Sequence, residues 1–308
     1  MSEDVPVALT IAGSDSGGGA GVQMDLKVFA ALGVFGTCAI TALTAQNTVG
    51  VRGAWEAPPE FVGAQIEAVL DDLPVRAAKT GMLSSAAVVE AVVRVVEARR
   101  NFPPLLEARQ ERGGFPPLVE ERRSFPPLLE ERQERGGFPP LVVDPVVVAK
   151  DGTHLLSEEG IAAVRERLLP LASVVTPNVL EAEALTGVRI ESEEDLRRAA
   201  EKLRALGCNW VLVKGGHMEG REVTDLLLGP DHEQALSSPR IPGGPFHGTG
   251  CALSAAIAAF LAHGRSIPDA VREATAYVQH LLQAARSLGG GARVLHPQPY
   301  SASKGSQQ

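Results

Sequence analysis

Short apolar runs alternate with helical segments over the first third of the chain, and this alternation restricts the fold more than any other feature. Residues 5–12 and 35–43 are apolar runs of strand length, and residues 22–32 between them predict a helix. A strand, a helix and a second strand in this order form the unit of a parallel sheet. The order continues through a strand at 75–79 to a helix that Ser84 is predicted to cap. The sequence therefore predicts an α/β fold with a mainly parallel sheet flanked by helices.

A repeat interrupts this alternation between residues 102 and 140. The string Phe-Pro-Pro-Leu begins at four positions, which are Phe102, Phe115, Phe125 and Phe138. The underlying 23-residue unit occurs only about twice, whereas a solenoid generally needs three or more units. We predict that the repeat is a surface insertion in a single domain spanning residues 1–290, and that residues 291–308 form a flexible tail.

The charge and the cysteine content limit the class of protein. Acidic residues outnumber basic ones by 37 to 29, giving a formal net charge of −8, which argues against a nucleic-acid or anionic-membrane partner. No apolar run approaches the length of a membrane span. The three cysteines, Cys38, Cys208 and Cys251, are far apart and lack the spacing of a metal site. Because free thiols are typical of a reducing compartment, we expect a cytoplasmic protein.

A glycine-containing turn, Gly248-Thr249-Gly250-Cys251, precedes an alanine-rich apolar stretch at 252–261 that predicts a buried helix. The first turn of a helix has unpaired N–H groups and a partial positive charge, so it can bind an anion such as phosphate. The same field favours the thiolate form of Cys251. The alternative is an ordinary glycine-rich turn before a buried helix.

Two common nucleotide motifs do not fit the sequence. Gly17 and Gly19 follow the first strand as in a dinucleotide-binding turn, but Val22 stands where the third glycine belongs. The next strand ends at Gln46-Asn47 without an acidic residue for a ribose, and Gly-Lys-Ser/Thr occurs nowhere in the chain. A nicotinamide-dependent enzyme and a Walker-type phosphate loop are therefore disfavoured.

Eight strings occur in a recognisable order: IAGSDSGGGAG at 11–21, DLK at 25–27, TALTAQN at 41–47, KTGM at 79–82, VDPV at 143–146, TPN at 176–178 with Glu181, VKGGH at 213–217 and HGTGC at 247–251. Together they resemble the hydroxymethylpyrimidine/phosphomethylpyrimidine kinases of thiamine biosynthesis, in the ribokinase-like superfamily. The resemblance covers residues 5–290 apart from the insertion. It implies a ribokinase-like three-layer α/β sandwich, a homodimer, and two ATP-dependent phosphorylations with Mg²⁺.

The resemblance implies that five residues bind the aminopyrimidine: Gly13, Asp25, Gln46, Met82 and Val146. The amide of Gln46 has a donor and an acceptor, which match a ring nitrogen beside an exocyclic amine. Four of these residues also have a structural alternative. Gln46 could cap a strand end, Asp25 could be a carboxylate on a helix surface, and Met82 and Val146 could be ordinary core residues.

The resemblance assigns a second set of residues to ATP and to phosphoryl transfer. Asp144, Asn178 and Lys214 would contact the nucleotide, and Glu181 and Asp144 would hold Mg²⁺ directly or through water. Gly248, Thr249 and Gly250 would donate to the transferring phosphoryl group, and Cys251 would accept the proton of the hydroxyl. Two other functions stay open, a pyridoxal kinase of the same fold and a non-catalytic pyrimidine-binding regulator.

Overall fold

A computed structural model describes residues 5–101, 137–147, 155–216 and 220–299. Most of the predicted insertion, residues 102–136, lies outside the described residues. The strands are β1 (Val7–Asp15), β2 (Phe35–Gln46), β3 (Val51–Glu56), β4 (Val75–Thr80), β5 (Leu141–Val143), β6 (Val174–Val175), β7 (Trp210–Val213), β8 (Glu222–Gly229), β9 (His232–Pro239), β10 (Phe246–His247) and β11 (Arg293–Val294). The helices are α1 (Gly21–Ala31), α2 (Pro59–Asp72), α3 (Ala86–Asn101), α4 (Glu158–Ala163), α5 (Val179–Thr186), α6 (Glu193–Ala205), α7 (Thr249–Ala262) and α8 (Ile267–Gln283).

Nine strands form one sheet in the order β3-β2-β1-β4-β5-β6-β7-β8-β9. The six strands β2, β1, β4, β5, β6 and β7 run parallel to one another. The strand β3 at one edge, and β8 and β9 at the other end of the sheet, pair antiparallel. The parallel strands direct their carboxyl ends to one edge of the sheet, where open α/β sheets bind ligands.

Two hydrophobic cores lie on opposite faces of the sheet and make the fold a three-layer sandwich. One core joins the sheet to α2, α3, α4, α5 and α6, and the other joins it to α1, α7 and α8. Every residue of Ala252–Ala262 in α7 is buried, as expected for a helix that is apolar on all sides. The predicted α/β fold with a mainly parallel sheet is confirmed. No helix in the described part of the chain could cross a bilayer.

The segment after α8 differs from the prediction. Residues 293–294 form β11, which pairs in parallel with β10, and Leu295 is almost fully buried. The predicted flexible tail is therefore corrected for residues 293–295, because a buried leucine and a strand pairing hold this segment against the sequence before α7. Residues 300–308 lie outside the described residues. The single-domain division stays a prediction.

Candidate active site

The start of α7 lies against the glycine-rich turn that follows β1. Gly248 is the N-cap of α7 and has a φ of 81°, a conformation that favours glycine. A Cβ at Gly248 would lie 1.8 Å from the carbonyl oxygen of Gly19. Only glycine therefore allows the two turns to approach so closely.

A cavity of about 440 Å³ opens in front of this helix start. Nine of the thirteen predicted site residues line it: Asp144, Val146, Asn178, Glu181, Lys214, Gly248, Thr249, Gly250 and Cys251. The other four, Gly13, Asp25, Gln46 and Met82, do not. The structure thus brings the predicted nucleotide and phosphoryl-transfer residues into one cavity, together with one residue of the predicted pyrimidine site.

A lysine and two carboxylates form a charged cluster in the cavity wall. Lys214 Nζ lies 3.2 Å from Asp144 Oδ1 and 4.0 Å from Glu181 Oε2. Burial alone would lower the pKa of Lys214, but the two carboxylates outweigh this effect and raise it. A Cβ at Gly250 would lie 3.3 Å from Lys214 Nζ. The ammonium group therefore stands directly beside the first turn of α7, and both would attract a phosphate.

Asn178 and Glu181 form a capping box at the start of α5. The side chain of Asn178 accepts from the N–H of Glu181 at 2.9 Å, and Glu181 Oε2 accepts from the N–H of Asn178 at 2.8 Å. Burial raises the pKa of Glu181 to about 7, with a further increase from Asp144 and an opposing effect of Lys214. The helix cap thus holds a carboxyl group in the cavity wall and keeps it partly protonated near neutral pH.

The donor set suits Mg²⁺ only when phosphate oxygens complete it. Three or more metal-ligating side chains do not cluster anywhere among the described residues. Asp144 and Glu181 are two carboxylates beside the cavity, and Mg²⁺ usually binds one or two carboxylates together with substrate phosphates and water. These two residues therefore fit a metal that arrives with a nucleotide.

Cys251 lines the cavity, but its electrostatics differ from the prediction. Burial raises the pKa of its thiol to about 11, although Lys79 and the N–H of Gly21 lower it in part. Asp25 and Asp144 add to the increase. The prediction that the helix N-terminus lowers the pKa of Cys251 is wrong, because the cost of burying a thiolate exceeds the effect of the helix. Cys251 is a thiol at neutral pH in the structure.

Asp25 is fully buried, which excludes the alternative of a carboxylate on a helix surface. Its Oδ2 accepts from Thr10 Oγ1 at 2.6 Å and lies 3.0 Å from Lys79 Nζ, which is also fully buried. Its Oδ1 is buried without a hydrogen-bond partner among the described residues. Contact between Asp25 and a substrate stays a prediction.

Gly13, Met82 and Gln46 lie outside the lining of the cavity. The N–H of Gly13 donates to the carbonyl of Met82 at 3.2 Å. A Cβ at Gly13 would lie 2.5 Å from Met82 Cε, so glycine makes room for the thioether. The side chain of Gln46 reaches His247, the residue before Gly248. Gln46 therefore contacts the residue that precedes the start of α7.

Sequence reasoning missed Lys79 as a partner of Asp25 and missed Asp225 altogether. Asp225 lines the cavity and its Oδ1 accepts from the N–H of Gly215 at 2.9 Å. Burial raises the pKa of Asp225 to about 6, against opposing effects of Gly215 and Lys214. Asp225 stands within β8 and belongs to no motif, so the sequence offers no signal for it.

The family model for phosphomethylpyrimidine kinase matches residues 15–107 and 125–296. The chain belongs to this family. The predicted family and fold class are therefore confirmed. Residues 108–124, within the repeat, are the internal stretch that the family model does not match.

Individual proteins agree with this assignment. The hydroxymethylpyrimidine/phosphomethylpyrimidine kinase of Streptomyces coelicolor is 46% identical over 286 residues, 93% of this chain and 92% of the relative. The crystal structure of phosphomethylpyrimidine kinase from Clostridium difficile is 36% identical with a TM-score of 0.70, covering 89% of this chain and 98% of that one. Pyridoxal kinase from Bacillus subtilis, solved as an ADP complex, is 29% identical with a TM-score of 0.78, covering 95% and 98%.

Proposed function

We propose that this chain transfers the γ-phosphoryl group of ATP to the hydroxymethyl group of 4-amino-5-hydroxymethyl-2-methylpyrimidine, and then a second phosphoryl group to the resulting monophosphate. Membership of the phosphomethylpyrimidine kinase family carries this proposal. Similar pyridoxal kinases solved with ADP or AMP-PCP support ATP as the phosphoryl donor.

The cavity supplies what phosphoryl transfer requires, which is mainly positioning and neutralisation of charge. The N–H groups of Thr249, Gly250 and Cys251 open α7, and the ammonium of Lys214 stands beside them. We assign the binding of Mg²⁺ to Asp144 and Glu181, and the metal when bound would neutralise charge on the phosphates. Together these groups would hold the transferring phosphoryl group at the mouth of the helix.

Cys251 is assigned to the proton of the first acceptor. In the first reaction the hydroxyl oxygen bonds to phosphorus, the bond from phosphorus to ADP breaks, and the hydroxyl proton passes to the thiolate sulfur. Because burial raises the pKa of Cys251 to about 11, only a small ionised fraction can serve at neutral pH. In the second reaction the acceptor is a phosphate monoester, which is mostly dianionic at pH 7 because its second pKa is about 6. The second reaction therefore needs no base.

The remaining assignments concern the pyrimidine and the assembly. We assign Gln46 to the hydrogen bonds with the aminopyrimidine edge and Asp25 to a polar edge of the ring. Met82 and Val146 would contact the two faces of the ring. Gly13 would allow the ring to approach the backbone at the end of β1 closely. The cytoplasmic location and the homodimer stay predictions.

Phosphorylation of pyridoxal is the second candidate function. Solved pyridoxal kinases share the fold at 28–29% identity with TM-scores of 0.76–0.78, and pyridoxal is also a flat heteroaromatic alcohol. A single phosphorylation with a higher kcat/KM for pyridoxal than for the aminopyrimidine would favour this function.

The test uses the purified full chain with ATP, Mg²⁺ and the aminopyrimidine alcohol, and follows products by mass spectrometry. We expect the monophosphate to appear first and the diphosphate to follow. Binding of the pyrimidine without turnover would contradict the proposal and would favour the non-catalytic regulator.

A further inference from the structure

The backbone of Lys214, the residue after β7, is held on both sides. Its own N–H donates to the carbonyl of Pro177 at 2.8 Å. The next N–H along the chain, that of Gly215, donates to Asp225 Oδ1 at 2.9 Å. These N–H groups belong to the two rigid peptide planes that flank the Cα of Lys214. The Pro177 carbonyl and the Asp225 carboxylate therefore fix together the direction in which the Lys214 side chain leaves the backbone.

Asp225 can accept from Gly215 because β7 and β8 lie side by side at this point. When the antiparallel register of the two strands is continued by one residue, Lys214 stands opposite Asp225. A Cβ at Gly215 would lie 2.0 Å from the carbonyl oxygen of Thr224, so the strands leave no room for a side chain there. Gly215 is buried, and a buried N–H without an acceptor is costly. The Asp225 carboxylate supplies that acceptor.

The far end of the Lys214 side chain is held as well. Its Nζ lies 3.2 Å from Asp144 Oδ1 and 4.0 Å from Glu181 Oε2, beside the first turn of α7. A lysine has a flexible four-carbon stem, so the ammonium keeps this place only if the backbone at its root stays fixed. A shift of about 1 Å in a group that stabilises charge can cost a factor of about 100 in rate. The contact between Asp225 and Gly215 therefore affects phosphoryl transfer.

We propose that Asp225 is a positioning residue, which accepts from the N–H of Gly215 and thereby holds the Lys214 ammonium where the phosphates of ATP would bind. The inference rests on the proposed function and adds to it a residue that belongs to no motif. Asp225 acts through Lys214, and its contribution comes from the position of the acceptor oxygen and not from the negative charge. An amide oxygen at the same place would therefore serve as well.

The experiment compares Asp225→Ala, which removes the acceptor, with Asp225→Asn, which keeps an acceptor oxygen without the charge. For each variant, kcat and KM are measured for ATP, and KM is measured for the aminopyrimidine alcohol. In Asp225→Ala we expect kcat/KM for ATP to fall about tenfold, the size of one hydrogen bond. The KM for the alcohol should stay within about twofold, because Lys214 is assigned to the nucleotide alone. Asp225→Asn should recover most of the loss.

Thr224→Val is the matched control in the same strand. The Thr224 hydroxyl lies 3.2 Å from Ser237 Oγ in an exposed contact between β8 and β9, and Thr224 does not line the cavity. The variant removes a polar contact of the hairpin without altering the acceptor for Gly215, so kcat/KM for ATP should stay within about twofold of wild type. A fall equal to that in Asp225→Ala would overturn the inference, because any weakening of the hairpin would then reduce activity.

A double-mutant cycle separates positioning of Lys214 from general support of the sheet. In a Lys214→Met background, Asp225→Ala should not lower kcat/KM for ATP further, because the residue through which it acts is gone. Single-turnover rates with radiolabelled ATP and excess enzyme resolve the slow reaction of these variants. Three results would overturn the inference: an unchanged kcat/KM in Asp225→Ala, an equal fall in the Lys214→Met background, or a loss in Asp225→Asn as large as that in Asp225→Ala.

If Asp225→Ala does not fold, Asp225→Ser takes its place, because the shorter side chain draws the acceptor away from Gly215. A fall in kcat/KM for ATP would then support the inference, and an unchanged value would overturn it.

Failure of the inference is distinguishable from failure of the proposed function. Wild-type turnover with an unaltered kcat/KM for ATP in the Asp225 variants overturns only the positioning role. Absence of turnover in the wild-type chain overturns the proposed function and the inference with it.

Discussion

Lys79 Nζ lies 3.0 Å from Asp25 Oδ2, and both side chains are fully buried between β4 and α1. Burial would lower the pKa of Lys79, but Asp25, Cys251 and Asp144 outweigh it and raise the pKa. Lys79 therefore places a positive charge in the interior near Cys251, where it favours the thiolate against the cost of burial, whereas Asp25 disfavours the thiolate.

Breaking this pair should be costly. Lys79→Met leaves the Asp25 carboxylate buried without its counter-charge, and we expect the free energy of unfolding at pH 8 to fall by about 3–5 kcal/mol. The double variant Lys79→Met/Asp25→Asn leaves no unpaired charge and should lose less than Lys79→Met alone. Urea unfolding monitored by circular dichroism measures both. A double variant that loses as much as Lys79→Met or more would show that the unpaired charge is not the cause.

Gly248 and Gly264 form a matched pair, because each has a φ of 81°. A Cβ at Gly264 meets nothing within 4 Å, whereas one at Gly248 would lie 1.8 Å from the carbonyl oxygen of Gly19. Gly264→Ala should therefore cost only backbone strain, about 1–2 kcal/mol. Gly248→Ala must also separate the two turns. We expect it to lower kcat/KM for both phosphorylations at least tenfold while Gly264→Ala stays near wild type. Equal activity of the two variants would contradict the proposed role of this close approach.

Glu181 should make stability depend on pH. Its pKa is about 7 in the folded chain against 4.5 for an unperturbed glutamate. The folded state therefore binds this proton more tightly than the unfolded state. The resulting stabilisation is complete below about pH 4.5 and is lost as the pH rises to about 7. Glu181→Gln keeps an oxygen for the cap of α5 but cannot ionise, so it should flatten this decline.

The measurement is the free energy of unfolding between pH 5 and pH 8. Asp225→Asn is the comparison, because the pKa of Asp225 is raised in the same direction to about 6. That variant should remove the part of the decline that ends near pH 6 and leave the part nearer pH 7. A pH dependence in Glu181→Gln identical to that of the wild type would contradict the assignment.

Local spacing predicted some details of the site and missed others. Asn178 and Glu181 are three residues apart, and the structure joins them in a capping box. Ser84 was expected to cap α3, but it has a φ of 66° and its hydroxyl donates to the carbonyl of Leu83. Ser85 takes the capping role instead, accepting from the N–H of Val88 at 3.3 Å. Two adjacent serines satisfy the same local pattern, and the path of the chain leaving β4 decides between them.

The electrostatics of Cys251 could not be derived from its neighbours in sequence. A helix N-terminus predicts a lowered pKa, but the groups that act on the thiol come from Asp25, Lys79 and Asp144 on three other segments. The pairing of Asp25 with Lys79 likewise joins residues 54 positions apart. The motifs contributed nine of the residues that line the cavity, whereas packing of α1, β4 and α7 determined the burial and charge around Cys251.

The raised pKa of Cys251 predicts a pH dependence for the first phosphorylation. If the thiolate accepts the hydroxyl proton, its fraction increases about tenfold per pH unit well below a pKa of about 11. The rate of the first transfer should therefore rise between pH 7 and pH 9, whereas the second transfer, which needs no base, should change little. Single-turnover rates at saturating ATP check this expectation. A first transfer that does not respond to pH would count against the thiolate as base.

Cys251→Ala provides the most direct test of the proposed chemistry. Rates of the two phosphorylations are measured separately, starting once from the alcohol and once from the monophosphate. We predict that the variant slows transfer to the alcohol about 100-fold or more and leaves transfer to the monophosphate within about threefold of wild type. Equal losses in the two reactions would show that Cys251 does not act as the base.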